Sequence, residues 1–210
     1  MSKSDKKIII IGYSGHSFEI IETILSTNSR ILGYTEINDV KSNPFNINFL
    51  GNEMIDLSDN DFNINNFFIC IGDSKKRKIL DEYIISKNGN FINVINSNSF
   101  ISSKIKIGYG NFVAKNASIN SNSIIGNQNI INTSSVIEHD CIINNYCHVG
   151  PNSTILGGVE IDSGSFIGAN TVIKEGIKIG KNVIIGAGSV VLKDIPDFSI
   201  AYGNPSEVKK

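Results

Sequence analysis

Residues 126–149 read GNQNII, NTSSVI, EHDCII, NNYCHV, four blocks of six that each close on Ile or Val. The pattern runs well beyond them. Stepping by six from Ile101 meets Ile107, Val113, Ile119, Ile125, Ile131, Ile137, Ile143, Val149, Ile155, Ile161, Ile167, Ile173, Ile179, Ile185 and Val191, sixteen aliphatic positions without an exception. Four residues after each step the side chain is mostly small, as at Ala117, Ser123, Ser135, Cys141, Cys147, Ser153, Ser165, Thr171 and Ser189. Glycine often follows the aliphatic residue directly, at Gly108, Gly126, Gly150, Gly168, Gly180 and Gly186. A period of six drifts around a helix and cannot build one buried face. A short strand followed by a tight corner can use it. Three such units close a triangular coil, with the aliphatic side chain inside and the small one beside it. Glycine is expected to supply unusual backbone angles at the corners. The sixteen units then stack into about five coils, each strand pairing with those above and below.

The rest of the chain is compatible with that domain and one smaller one. Of 210 residues, 40% are hydrophobic and 19% charged, an ordinary globular composition. The formal net charge is -1, with no basic face of the kind a phosphate backbone demands, so nucleic acid is not an expected partner. Ile8–Ile11 is too short to span a bilayer. Lys3, Lys6 and Lys7 before it imitate a signal peptide, but Gly12-Tyr13-Ser14-Gly15 follows at once and leaves no apolar region or cleavage site. No membrane insertion is expected, and the location is expected to be cytoplasmic. Cys70, Cys141 and Cys147 are odd in number and lack metal-ligand spacing. They read as reduced, buried thiols of a cytoplasmic protein, and no metal is expected.

Residues 1–97 predict a small α/β domain, and 98–210 the coil. Lys7–Ile11 reads as a buried strand. Gly12-Tyr13-Ser14-Gly15-His16 is a turn, and Phe18, Ile20, Ile21, Ile24 and Leu25 fit one helix face. Ile31–Tyr34 predicts a second strand ending at Thr35 and Glu36. Phe67–Ile71 predicts another, followed by Gly72-Asp73-Ser74 and a helix through Lys78, Ile79, Leu80 and Tyr83. Phe91–Ile95 reads as a last strand. Ligands of such parallel sheets sit at the carboxyl ends of the strands, here Gly12–His16, Thr35-Glu36 and Gly72-Asp73. The first turn lacks the full G-x-G-x-x-G pattern, which leaves two readings. It is either a site for a smaller nucleotide, held by backbone amides at a helix N-terminus, or a purely structural turn.

The chain has three histidines, His16, His139 and His148. His139 falls two residues after Ile137, off both interior tracks, and is expected to project outward between Glu138 and Asp140. His148 falls five after Ile143 and reads as a corner residue. Neither is needed to fill the core. A neutral histidine can remove a proton from an attacking amine or hydroxyl, and a neighbouring carboxylate fixes its tautomer. Asp140 is the nearer candidate, because Glu138 is expected to point to the opposite side.

These features carry a resemblance. The stretch from Asn132 through Glu138-His139-Asp140, followed by Cys147-His148-Val149, resembles the NeuD/PglD-type sugar acetyltransferases, which are hexapeptide-repeat acyltransferases. Gly12-Tyr13-Ser14-Gly15-His16 is similar to the G-x-x-G-H turn of their N-terminal domain. The resemblance implies a Rossmann-like N-terminal domain, a left-handed parallel β-helix, acetyl-coenzyme A as cosubstrate and a homotrimer. It implies acetylation of the 4-amino group of a nucleotide-linked 4-amino-4,6-dideoxy sugar, in bacterial surface glycan or glycoprotein biosynthesis. His139 would be the general base and Asp140 its supporting acid. His148 would face the thioester, and Asn132 would line the acceptor site. Ser14, Gly15, His16 and Gly72 would hold the sugar nucleotide. Thr35 and Glu36 stand where some relatives carry two aspartates that read base and ribose. Ala169 and Ala187, beside Gly168 and Gly186, would let the pantetheine arm of coenzyme A approach the backbone. Gly203-Asn204-Pro205 is similar to the close of these helices, though Ser206-Glu207 replaces the usual Ala-Lys. Two other readings stay open: O-acetylation of a sialic-acid-type sugar, and a β-helix that serves only as a binding module.

Overall fold

A computed structural model describes residues 7–27 and 29–210; Lys3 and Lys6 lie outside them. The chain divides into two compact units, with Val94 ending the first and Ile95 beginning the second.

The first unit is a parallel sheet. Strands β1 (Lys7–Ile11), β2 (Arg30–Thr35), β3 (Asn66–Ile69) and β4 (Asn90–Phe91) lie in the order β2-β1-β3-β4. Ile8 to Ile11 are all at most 1% exposed, the unbroken apolar run of a strand covered on both faces. Helix α1 (Gly15–Leu25) buries Ile20, Ile21 and Ile24, while Leu25, expected on that face, is exposed. The second predicted helix is α3 (Ser74–Ser86). It buries Leu80 and Ile84 and leaves Ile79 exposed. Between them lies α2 (Asp59–Ile64), which was not expected from the pattern. Ser58 and Asp61 cap it reciprocally, with Asp61 N donating to Ser58 Oγ and Ser58 N to Asp61 Oδ2. The predicted strand 91–95 is two strands. Asn90–Phe91 pairs with β3, whereas Val94–Ile95 joins the ladder that contains Phe112–Val113.

The second unit is a parallel β-solenoid. Its strands are two residues long and repeat every eighteen residues on three faces. The first face carries Phe112, Ile130, His148, Phe166 and Ile184 as its outward residues. The second carries Ser118, Val136, Thr154, Val172 and Val190, and the third Lys106, Ile124, Ile142, Glu160 and Lys178. The next residue of every strand is the aliphatic one. From Val113 to Val191 all are at most 2% exposed. Ile101 is only partly buried, and its strand has a neighbour on one side alone. At the other end Ile200–Gly203 and Ser206–Val208 form an antiparallel pair on the first face.

The small-residue track does more than make room. Ser123 Oγ donates to Glu138 O at 2.8 Å and accepts from Cys141 N one coil on. Ser165 repeats this with Gly180 O and Val183 N. Buried polar groups are thus satisfied between coils. Cys141 and Cys147 take the same place as buried thiols outside any disulfide. Cys141 Sγ lies 3.2 Å from Leu156 O, and burial pushes the thiol up to about 11.

The corners correct one expectation. None of the six glycines directly after the aliphatic residue has a left-handed backbone. They are needed for close approach: a Cβ on Gly150 would lie 2.7 Å from Ile167 O, and one on Gly168 2.5 Å from Ala187 N. The left-handed residue comes three places after the aliphatic one. Gly110, Asn116, Asn122, Gln128, Ser134, Asp140, Tyr146, Asn152, Gly158, Gly164, Asn170, Gly176, Asn182 and Gly188 all have φ between 51° and 77°. Asn, Asp and Gly tolerate that region best. Among the described residues no helix is long and apolar enough to cross a membrane.

Candidate active site

On the solenoid, the corner between the second and third faces carries His139 and Asp140. Both are well exposed, 64% and 58% by side chain. Successive side chains of a strand point apart, but the left-handed turn at Asp140 brings its carboxylate back. Oδ2 lies 2.8 Å from His139 Nδ1. An ionised carboxylate can only accept, so Nδ1 is the donor, and in the neutral imidazole the lone pair is on Nε2. The hydrogen bond to His139, and a second to Asn122 one coil below, hold the Asp140 carboxyl below its ordinary range. Glu138 is turned elsewhere and accepts from Asn120 Nδ2 at 3.0 Å. Gly157 lies one coil above. A Cβ there would meet His139 Cε1 at 2.6 Å and Nε2 at 2.8 Å, so the imidazole rests on a bare backbone. Neither Asn122 nor Gly157 stood out from the sequence. The signal was available, since each lies eighteen residues from the dyad.

His148 is not at a corner. It is the outward residue of a first-face strand, half-buried between Ile130 and Phe166. Its Nε2 lies 3.3 Å from Asn132 Nδ2, and its ring meets Phe166 edge-on at 5.0 Å between centroids. Asn132 Oδ1 is taken by Thr133 N. The structure therefore pairs His139 with Asp140 and His148 with Asn132. Within one chain the two pairs lie apart: the corner joining the second and third faces is the one corner that does not border the first. Ala169 is half-buried and Ala187 exposed, in adjacent coils.

In the first unit, the carboxyl ends of β1, β2 and β3 open into a cleft of about 370 Å³. Ser14, Thr35, Glu36 and Gly72 line it together. The order β2-β1-β3 makes this the switch point of the sheet. Gly15 and His16 are not part of its wall. Gly15 starts α1, and nothing lies within 4 Å of where its Cβ would be; the same holds for Gly72. Gly12 differs, having φ 89° and a Cβ position 2.7 Å from Ile71. Glu36 accepts from Tyr13 N at 2.9 Å, tying the end of β2 to the first turn. Tyr13 stacks on Tyr34 and meets Phe18 edge-on. Buried Arg77 donates from Nη1 to Ile71 O and Gly72 O, fixing the loop after β3. Burial first, and the Arg77 charge second, lower the pKa of His16 below its ordinary value. Glu53, Lys76 and Ile37 also line the cleft and were not foreseen. Residues 37–58 show no hydrophobic period to place them.

Among the described residues no group of three or more His, Cys, Asp and Glu side chains is arranged to hold a metal ion.

Comparison with known proteins bears on both units. Residues 7–84 match the PglD N-terminal domain, and 122–157 and 158–193 match bacterial transferase hexapeptide repeats, the repeats of a left-handed β-helix. No curated protein matches in sequence. Among solved structures, a histidine-to-asparagine variant of perosamine N-acetyltransferase from Caulobacter crescentus, in complex with CoA and GDP-perosamine, is 28% identical. The alignment covers 97% of each chain with a TM-score of 0.91. The acetyltransferase domain of PglB from Neisseria gonorrhoeae, in complex with acetyl coenzyme A, is 23% identical. It aligns over 98% of this chain and 100% of its own, with a TM-score of 0.89, and shares the fold.

Proposed function

This chain belongs to the hexapeptide-repeat sugar acetyltransferases that use acetyl-coenzyme A and carry a PglD-type N-terminal domain, and on that premise we propose that it acetylates the 4-amino group of a nucleotide-linked 4-amino-4,6-dideoxy sugar. The observation that carries the reading is the exposed His139–Asp140 pair, with one imidazole nitrogen committed to the carboxylate and the other open. The similar Caulobacter enzyme, bound to GDP-perosamine, supports an amino sugar on a nucleotide as acceptor.

His139 Nε2 takes a proton from the acceptor amine as the amine nitrogen bonds to the acetyl carbonyl carbon. Asp140 keeps the imidazole in the tautomer that can accept, and steadies the imidazolium that forms. The carbon–sulfur bond then breaks, and the imidazolium returns the proton to the departing sulfur. One amide and one thiol result. Asn132 and His148 line the path of thioester and acceptor. The corner column of Ala169 and Ala187 offers low walls for the pantetheine arm. In the first unit, the amides that open α1 take the phosphates, with Ser14, Gly15, His16 and Gly72 around them and Thr35 and Glu36 toward the nucleoside.

The protein acts as a cytoplasmic homotrimer in this reading. His139 and His148 sit on opposite sides of one triangular prism, so a site that uses both takes them from adjacent protomers. Exposed Phe166 and Ile184 on the first face, and Val172 on the second, supply apolar surface for that packing. The test is a panel of 4-amino sugars on different nucleotides, incubated with acetyl-coenzyme A and followed by thiol release. Turnover is expected with a nucleotide-linked 4-amino sugar. Thiol release with a sialic acid alone would overturn N-acetylation.

A further inference from the structure

Glu53 carries a carboxylate that the mechanism leaves without a role. Its residue is 9% exposed and lines the cleft at the ends of β1, β2 and β3. Among the described residues it makes no hydrogen bond or ion pair. Its position is defended. Asn52 N donates to Asp56 Oδ2 at 2.7 Å, Asp56 N to Asn52 O at 2.8 Å, and Met54 N to Asn52 Oδ1 at 2.9 Å. Gly51, at φ 88°, opens this turn. Thr35, whose buried Oγ1 has no partner, lines the same cleft. A carboxylate with no donor of its own in the cleft accepts from whatever occupies it, so this wall suits a ligand rich in hydrogen-bond donors.

The carboxylates divide the work. Glu36 stands at the end of β2, where an acid takes ribose hydroxyls in sheets of this kind, and one of its oxygens is already held by Tyr13 N. Glu53 lies farther along the chain and has both oxygens open. An ionised carboxylate only accepts. Of the common bases, guanine alone presents two adjacent donors on its pairing edge, N1–H and the 2-amino group, and can meet a carboxylate with two parallel bonds. Uracil and thymine present one N–H between two carbonyls, which a carboxylate repels. Adenine and cytosine place an acceptor beside their amino group.

We propose that Glu53 reads the base of the acceptor and that the base is guanine; this rests on the reading of the cleft as the nucleotide site. The test is calorimetric titration of the full-length protein with GDP, inosine diphosphate, UDP and dTDP. GDP should bind tightest. Inosine diphosphate lacks the 2-amino group and should bind ~10-fold or more weakly, the loss of one hydrogen bond to a charged group. Glu53→Gln should lower GDP affinity by a similar factor and close the gap between GDP and inosine diphosphate. Glu53→Ala should do the same, with acetyl-coenzyme A binding and the melting curve as checks on folding. Equal or tighter binding of UDP or dTDP would overturn the base assignment and leave the nucleotide site standing. GDP selectivity that survives both Glu53 variants would overturn the role of Glu53. Binding of none of the four would overturn the nucleotide reading itself, and this proposal with it.

Discussion

Asp140 touches its own neighbour His139, Oδ2 to Nδ1 at 2.8 Å, because its backbone sits in the left-handed region at φ 60°. The same position in the coil below is Asn122, and in the coil above Gly158, both left-handed. The acid beside His139 is thus one member of a structural track that recurs every six residues. Asp is among the few residues that satisfy both demands.

Removing the base should act on the chemical step. His139→Ala is expected to lower kcat by ~10²–10⁴-fold while the protein stays folded, since the side chain is exposed. Asp140→Asn should cost less, because the imidazole remains and Asn keeps the left-handed turn. The Asp140 carboxyl is held low by its bond to His139 and then by Asn122. It therefore stays ionised at every pH above its ordinary 3.8, so the support it gives the imidazole is constant across the assay range. Steady-state kinetics across pH decides. Near-wild-type turnover of His139→Ala at neutral pH would remove the dyad from the reaction.

Gly157 gives a sharper separation of stability from activity. Its backbone is not left-handed, so alanine fits the chain. Glycine-to-alanine changes at such positions stabilise by ~0.4–1 kcal/mol through the unfolded state. The added Cβ must, however, displace the exposed imidazole of His139. Gly157→Ala should melt at or slightly above the wild-type temperature and lose activity by up to ~10²-fold, as small misplacements of catalytic groups do. A variant with unchanged kcat would show that the ring position is not critical.

Much of this was legible because a solenoid is close to one-dimensional. The aliphatic track from Val113 to Val191 is the core, and each residue repeats its surroundings eighteen places on. The left-handed track is not legible from residue type, because Asn, Gly, Asp, Ser, Gln and Tyr share it. Glu53 lies in residues 37–58, where hydrogen-bonded turns rather than periodicity set the path. Arg77 was hidden differently. In the run Lys75-Lys76-Arg77-Lys78 it reads as solvated charge, yet it is 1% exposed and ties down two carbonyls of the cleft loop.

His16 makes the first unit sensitive to acid. Burial and Arg77 favour its neutral form in the folded state. Folding therefore gains from this group above the unfolded value of 6.5, and the gain is lost as pH falls from there toward the lowered folded pKa. Melting temperatures should drop over that window in the wild type and drop less in His16→Asn. Parallel pH curves for the two proteins would show that His16 does not contribute.

At the first turn, Gly15 has neither a left-handed backbone nor a neighbour that a Cβ would strike, and glycine at the start of a helix has no propensity in its favour. On the proposed reading, the open space beside it receives the nucleotide sugar. Gly15→Leu should raise KM for the nucleotide sugar strongly and leave that for acetyl-coenzyme A nearly unchanged. Equal effects on both substrates would contradict the division of labour between the units.

The arrangement of the two histidines on the solenoid makes the boldest prediction. His148 projects from the first face, and His139 from the corner opposite that face, between Val136–Ile137 and Ile142–Ile143. One chain cannot bring both to one thioester. A site shared between protomers can, with His139 from one and His148 from its neighbour. Each of His139→Ala and His148→Ala should then be impaired as a homotrimer, and unfolding and refolding the two together should restore activity. With random assortment about a quarter of the shared sites receive both native histidines, so recovery should approach that fraction of wild-type turnover. Each variant refolded alone is the control. Light scattering should report trimers throughout. If both variants are impaired and the mixture recovers nothing, the site lies within one chain and His148 acts on it indirectly. If His148→Ala alone is fully active, the thioester is oriented by other residues, with Asn132, 3.3 Å from His148, the first to test.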